Sequence, residues 1–545
     1  MGPELRPLAG TVSCTSNNRQ MRKISFLLLL LAVITSCKSE EEQKMNFLFI
    51  MTDQQRYDAL SIAGNTVLET PNLDQLAKAG AYFRNAYTPC AVCGPARSSI
   101  LTGRIVEHTG VNTNDKTYFY AEEPVMTQPT FDEILTENGY HCEYFGKWHS
   151  ITAHTAVYKN PKQASEKGHS VFAHGGQRHV YMDYLDTHFP KRDLQPGELY
   201  DGFYDRPYET DPLDTHHGMS PEEFLEQKPR RIQPDLHGRL MIPAEHSLTA
   251  FQAKETIEAI ERLKDTVFSI TCSFHFPHAP MLPTDPYYNM YPAEEMTPPA
   301  SLLDDMSNSP YRTANGRLNN PEYSDPELIK YMISNYYGLV KEIDDWVGKI
   351  LATLEEHGLA DNTLVIFVSD HGEMLGAHGL REKNVFYEES AHIPLLMRFP
   401  GKIKPGTTVD GYVSLVDLFP TILDYLDVDA PDNDGKSLRG LIEGKDRKHG
   451  EYVVTEWNYR GDIAPNYMVV KDGWKLIIPY SKESEVINAL YDLNTDPHEM
   501  HNLIGKNPDR AKYETQAEEL RECLLEWLEK NNSVYYTGVS ERALI

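Results

Sequence analysis

The chain has 545 residues, with 52 lysines and arginines against 80 aspartates and glutamates, a formal net charge of −28. That balance argues against nucleic acid as a partner, because a phosphate backbone needs a basic face; a small anionic substrate stays open, since a pocket can be locally positive on an acidic protein. Seven cysteines at no regular spacing exclude a disulfide scaffold as the organising principle.

In chain order, Met21-Arg22-Lys23 is a short basic segment before the apolar run Ile24–Ile34. The run is too short to span a bilayer as a mature helix and suits a signal-peptide core. It leads into Ile34-Thr35-Ser36-Cys37, which resembles the lipobox of a bacterial lipoprotein. The resemblance implies a start at Met21, lipidation of Cys37 as the mature N-terminus, and export to the outer membrane, cell surface or periplasm. Residues 1–37 are assigned to this signal region and 38–45 to a tether, in which Lys38-Ser39-Glu40-Glu41-Glu42 is similar to the acidic export tags of Bacteroidetes surface lipoproteins. Cys90, Cys93, Cys142, Cys272 and Cys523 then remain for the folded part, whose roughly 500 residues hold one large α/β domain and a smaller one.

Asn46–Met51, Thr266–Cys272 and Thr363–Val368 are apolar runs without alternation, and each ends abruptly in polar residues: Thr52-Asp53-Gln54, His275-Phe276-Pro277-His278 and Ser369-Asp370-His371-Gly372. Such strands predict a sheet covered on both faces. Pro71–Ala79 and Leu328–Glu355 read as helices between them, the second from the spacing of Ile343, Val347, Ile350, Leu351 and Leu354. The predicted fold is a doubly wound, mostly parallel α/β sheet, in which ligands bind beyond the carboxyl ends of the strands, where the polar clusters fall. Residues 155–245 read as long loops around the site, with His216, His217, Arg178, His179 and Arg231 as loop residues that surface solvation explains as well as substrate reading does. Tyr452–Trp457, Tyr467–Val470 and Trp474–Ile478 read as short antiparallel strands and Gln516–Lys530 as an amphipathic helix, so 46–445 is assigned to a catalytic domain and 446–545 to a small α+β subdomain.

The stretch Thr88–Arg104, TPCAVCGPARSSILTGR, carries the most chemistry. A lone Cys-x-x-Cys suggests half a zinc site or a dithiol couple, but no second Cys/His pair follows at matching spacing. From Cys93 onward, Cys93-Gly94-Pro95-Ala96-Arg97 and then Leu101-Thr102-Gly103-Arg104 resemble the maturation motif of the type I sulfatases, of alkaline-phosphatase-like fold. Gly139–His149 is similar to that family's second signature, with Cys142 where Ser or Thr is usual. Asp53-Gln54 and Asp370-His371-Gly372 match its two metal turns, His278 and Lys383 two further site positions, and Leu490–Leu503 its C-terminal signature.

The resemblance implies that a formylglycine-generating or anaerobic sulfatase-maturating enzyme oxidises Cys93 to Cα-formylglycine, whose hydrate attacks sulfur in covalent catalysis. It implies a divalent cation held by Asp53, Gln54, residue 93, Asp370 and His371. Oxygen-dominated sites favour Ca2+, while the His371 nitrogen moves preference toward Mn2+ or Zn2+, with Mg2+ also open. Arg97, Lys147 and Lys383 are expected to fix the nucleophile and hold sulfate oxygens. His149 is expected to take the nucleophile's proton, and His278 to act as general acid because imidazole titrates near working pH. Either Asn112 or Asn114 is expected to contact the sulfate. Gln54, His371 and the Asp370-to-Lys383 spacing resemble a branch of uronate 2-O-sulfatases, choline sulfatases and phosphonate monoester hydrolases. The expected substrate is a sulfated carbohydrate, a glycosaminoglycan or host glycan oligosaccharide with uronate 2-O-sulfate as first choice. The alternatives are a phosphonate or phosphate diester hydrolase and a non-catalytic glycan-binding surface lipoprotein.

Overall fold

Seven strands build the central sheet of the computed structural model, which describes residues 44–114, 128–150, 178–195, 198–200, 206–211, 237–311, 321–446, 448–457, 466–479 and 487–545. The signal region, most of the tether, His216, His217 and Arg231 lie outside the described residues, as do the side chains of Arg178 and His179. No helix among the described residues is long and apolar enough to cross a membrane.

The strands are β1 (Asn46–Asp53), β2 (Ala81–Tyr87), β3 (His141–Gly146), β4 (Leu199–Tyr200), β5 (Pro207–Thr210), β6 (Gly238–Leu240), β7 (Phe268–Pro277), β8 (Thr363–Ser369), β9 (Leu395–Arg398) and β10 (Thr407–Ser414). In the central sheet the order is β10-β2-β9-β8-β1-β7-β3. β3, β7, β1 and β8 run parallel, β2 and β10 run parallel, and β9 is antiparallel to both its neighbours. Alternate residues of β1 serve two cores: Leu48 and Ile50 pack in one cluster, Phe47, Phe49 and Met51 in the other. A period-two strand with both faces buried must be apolar throughout, which is why β1, β7 and β8 showed no alternation.

Helices α1 (Pro71–Lys78), α4 (Leu248–Leu263) and α5 (Pro326–Glu356) cover the first face. Helices α2 (Cys93–Thr102), α3 (Phe131–Glu137) and α6 (Leu418–Tyr425) cover the second. Helix α5 starts where Asp325 accepts from the Glu327 amide at 2.9 Å and Pro326 needs no partner for an absent N–H. Register places Thr52 beside Ser369 and Asp53 beside Pro277, so the turns after β1, β7 and β8 open at one edge.

The stretch read as loops departs from that reading. Arg178–His188 forms a helix, and β4, β5 and β6 make a three-stranded antiparallel sheet. Strands of two to four residues are too short to show a period. The helix does carry a signal, since Tyr181 and Leu185, four residues apart, are both fully buried.

Strands β11 (Val453–Trp457), β12 (Asn466–Lys471), β13 (Trp474–Pro479) and β14 (Ala489–Asp492) form an antiparallel meander. One face packs on Tyr87, Phe386 and Tyr387, the other on helix α7 (Glu514–Lys530) through Leu520, Leu524 and Leu528. Buried Lys475 of β13 pins this sheet to the body, pairing with Glu388 at 2.7 Å and Glu499 at 2.8 Å. Glu499 belongs to the Leu490–Leu503 motif and also accepts from the Glu388 amide at 2.7 Å.

Candidate active site

Cys93 opens α2 directly after the β2 loop and is 1 % exposed. Gly103 closes the helix at φ 65°, its N–H on the Ser99 carbonyl; a Cβ there would sit 2.7 Å from Phe419. Arg104 then pairs with Asp434 at 3.0 Å and Asp432 at 2.8 Å, so Leu-Thr-Gly-Arg is the stop and anchor of helix α2. The Gly94 amide donates to Asn114 Oδ1 at 3.0 Å, which brings Asn114, and not Asn112, onto the residue beside Cys93. All five described cysteines are free, and Cys90 is buried with a thiol that burial and then Glu456 push up.

Around the Cys93 sulfur lie His371 Nε2 at 3.0 Å, Lys147 Nζ at 3.8 Å and Asp53 Oδ1 at 4.0 Å. Burial and Asp53 push this thiol up, but Lys147, Lys383 and His371 together outweigh them and its pKa is lowered. Asp53 and Asp370 stand at the ends of the adjacent strands β1 and β8. Burial opposes the charge of Asp53, yet Lys147 first, and Arg97, hold its carboxyl well below the usual range. Asp53 Oδ2 meets Lys147 Nζ at 2.5 Å.

Arg97 is fully buried and its donors go to protein acceptors. Nε reaches Asp370 at 2.7 Å, Nη2 reaches Asp53 at 3.1 Å, and Nη1 donates to Ser273 Oγ at 2.8 Å and the Lys147 carbonyl at 2.7 Å. Four of its five N–H groups are thus taken by the protein, and Arg97 ties the two carboxylate turns together and to the β3 and β7 ends. His149, directly after Lys147 and Trp148, is fully buried at φ 41°, an unfavourable angle for a β-carbon residue that the surrounding fold enforces.

The donor atoms of Asp53, Cys93, Asp370 and His371 all lie within 4.8 Å of one another, and all four residues are buried. His371 Nδ1 donates to the Gly372 carbonyl at 2.9 Å, which turns the Nε2 lone pair inward, the orientation a metal-binding imidazole takes. Burial opposes protonation of His371, but Asp370 and Cys93 raise it to about 9, so a cation would displace that proton. The donor set fits a divalent ion. Gln54, expected among the ligands, is turned elsewhere. Its Oε1 accepts from Lys383 Nζ at 2.5 Å and its Nε2 donates to Glu373; an ammonium can only donate, which fixes the amide's orientation.

His278 is also corrected in its resting state. The Ala279 carbonyl can only accept, so Nδ1 carries the proton at 2.7 Å, and Nε2 accepts from Lys383 at 3.0 Å. Burial first, then Lys383 and Lys147, hold this imidazole well below its ordinary range, so it does not titrate near neutrality. Burial opposes the charge of Lys383, but Cys93 and Glu382 raise its pKa, so the proton between the two groups rests on the ammonium.

Glu373 was missed, although it directly follows Asp370-His371-Gly372. It accepts from the Leu375 amide at 3.0 Å, the Glu382 amide at 2.7 Å and Gln54, and so steers Lys383 through the glutamine. Replacing Glu373 with alanine is expected to lower kcat/KM by about 10–100-fold, the range for removing a partner behind a site residue, without loss of metal content. Steady-state kinetics beside metal analysis checks this.

A covered, mostly parallel sheet whose carboxyl edge gathers two carboxylate turns around a residue at a helix N-terminus is the architecture of hydrolases of the alkaline-phosphatase-like superfamily. Comparison with known proteins makes the assignment narrower: the Sulfatase family model matches residues 45–428, and that of the N-sulphoglucosamine sulphohydrolase C-terminal region matches 376–530. The chain belongs to the sulfatase family. It is 30 % identical to an arylsulfatase of Clostridium perfringens over 507 residues, 91 % of this chain and 96 % of that one. It is 28 % identical to an N-acetylglucosamine-6-O-sulfatase of Bacteroides thetaiotaomicron over 546 residues, 94 % and 92 % of the two chains. A phosphonate monoester hydrolase of Agrobacterium radiobacter shares the fold, with TM-score 0.71 at 22 % identity, covering 89 % of this chain and 96 % of that one.

Proposed function

We propose that the protein is an exported, lipid-anchored carbohydrate sulfatase that removes O-sulfate from a glycosaminoglycan or other host glycan oligosaccharide, with a uronate 2-O-sulfate as first candidate. The observation that carries the reading is the convergence of Lys147, Lys383, His278, Asp53, Asp370 and His371 on Cys93. Three fixed cations, Arg97, Lys147 and Lys383, are gathered there among the carboxylates of Asp53, Asp370 and Glu373, on a chain of net charge −28. Anion binding in a dry pocket is strongest when the donors are already in place. The lipobox-like run before Cys37 supports the anchor, and the Bacteroides relative acting on N-acetylglucosamine-6-O-sulfate supports a sugar substrate.

Oxidation of Cys93 by a maturation enzyme would supply the aldehyde whose hydrate is the family's nucleophile. Because Cys93 is 1 % exposed, that enzyme must reach it before folding closes the site. A divalent cation, Ca2+ as first choice, would be held by Asp53, Asp370, His371 and an oxygen of residue 93, and would neutralise sulfate charge. The chain's own residues do the rest. Arg97 keeps the two carboxylates at a set separation, Lys147 and Lys383 bind sulfate oxygens, and the Lys383–His278 pair holds the proton for the departing alcohol.

Sulfate release from heparin, chondroitin and mucin oligosaccharides by fully matured protein tests the reading; no release from any of them overturns it. Faster turnover of a phosphonate monoester than of nitrophenyl sulfate would favour the phosphonate alternative. His278→Ala is expected to slow sugar sulfates, whose alkoxides leave poorly, at least tenfold more than nitrophenyl sulfate. Equal losses on both would remove the pair from the proton-donor role.

A further inference from the structure

A second crevice, of about 220 Å³, lies between the β10 edge of the central sheet and the C-terminal sheet. None of its lining residues belongs to the group around Cys93. Half-buried Trp527 and Tyr452 give it aromatic walls, and exposed Lys448 and Lys530 stand on its lining. No ion pair or hydrogen bond engages either ammonium among the described residues, unlike Lys436, which pairs with Asp446.

The carboxylates of the crevice are mostly committed. Asp417 accepts from the Lys436 amide at 2.8 Å and the Ser414 amide at 3.2 Å. Asp434 is held by Arg104 at 3.0 Å, His108 at 2.7 Å and the Ile105 amide at 3.0 Å. Burial first, then Glu107, pushes the Glu456 carboxyl up to about 8, which leaves Glu451 as the exposed lining carboxylate. His449 also lines this space: its side chain is 10 % exposed, Nε2 faces Asp417 at 3.3 Å, and Nδ1 is buried without a hydrogen-bond partner.

Aromatic walls and two unpaired ammonium groups suit a sugar ring bearing an acidic substituent. The ring's C–H face would lie on the aromatic side chains and its sulfate or carboxylate beside the lysines. The volume falls below the roughly 300–1,000 Å³ of pockets that enclose a whole drug-sized molecule, so it suits one ring of a longer chain. We propose that this crevice is a second glycan-binding site, which holds an anionic sugar unit of a long substrate while another unit reacts at Cys93. The proposal rests on the carbohydrate reading of the active site.

The test compares wild type with Trp527→Ala and with the double variant Lys448→Glu/Lys530→Glu. The double variant alters only exposed side chains and keeps the test valid if the tryptophan change disturbs packing. Heparin and chondroitin sulfate octasaccharides are the probes, read by calorimetric affinity and by KM for sulfate release. Nitrophenyl sulfate turnover should be unchanged in both variants, and octasaccharide affinity should fall at least tenfold in the double variant, more at low salt than at high. Equal octasaccharide affinity in wild type and the double variant would overturn the second site, as would failure of wild type to bind either octasaccharide. Sulfate release from disaccharides, too short to need the crevice, separately decides the carbohydrate reading.

Discussion

Cys93→Ala is expected to abolish sulfate release, a fall in kcat of about 10⁴-fold or more, the order seen when a covalent nucleophile is removed from an otherwise intact site. Cys90→Ala is expected to keep activity. The two thiols sit three residues apart and both are buried, yet their surroundings differ. Cys93 faces Lys147 at 3.8 Å and His371 at 3.0 Å, whereas Cys90 packs among Val92 and Val106 with Glu456 nearby. Nitrophenyl sulfate kinetics give the first readout. A mass spectrum of the tryptic peptide Asn85–Arg97 gives the second, with the aldehyde or its hydrate expected at Cys93 alone. Activity retained in Cys93→Ala would remove this residue from the reaction.

Arg97→Met is expected to cost both stability and activity. Asp53 and Asp370 are fully buried, and Arg97 ties them together through contacts of 3.1 and 2.7 Å. Removing one partner of a buried ion pair typically costs about 3–5 kcal/mol, because an uncompensated charge stays behind. Lys147 still neutralises part of Asp53, so Asp370 should carry the larger share of the loss. A bound divalent cation would restore some of the missing positive charge, so chelation should lower the thermal midpoint of Arg97→Met more than that of wild type. Arg97→Lys should not rescue, since one ammonium cannot span both carboxylates and the Lys147 carbonyl in the guanidinium's planar geometry. Thermal unfolding with and without chelator checks both statements; equal chelator effects in variant and wild type would show that Arg97 does not brace the cation site.

The local motifs were legible because their chemistry is local. An apolar strand ending in Asp-Gln or Asp-His-Gly declares a carboxylate at a sheet edge. Cys93-Gly94-Pro95-Ala96-Arg97 followed by Leu101-Thr102-Gly103-Arg104 singled out Cys93 by its motif, whereas the helix it opens and the left-handed stop at Gly103 came from the structure. The non-alternating strands likewise implied a sheet covered on both faces, because Phe47 to Met51 of β1 are apolar on both sides and all buried. What a side chain does inside that frame was legible only where its partners are close in sequence.

Gln54 shows the limit. Its role is set by Lys383 and Glu373, 329 and 319 residues away, and nothing in Asp53-Gln54-Gln55 indicates that an amide beside a metal turn will hold an ammonium instead. His278 was read from the ordinary behaviour of imidazole, and its neutral resting state comes from burial and two lysines brought in by the loops after β3 and β8. Arg97 was read as an anion binder, as a lone arginine in such a motif would be, until two aspartates from adjacent strands took its donors. The chain's residues alone therefore indicated the family and the strand-end carboxylates, and singled out Cys93 by its motif, all from residues close together in sequence. Which cation meets which anion, where the proton rests, and which asparagine reaches Gly94 were decided by the packing of β1, β3, β7 and β8, because electrostatics acts through space and the nearest charges are far away along the chain.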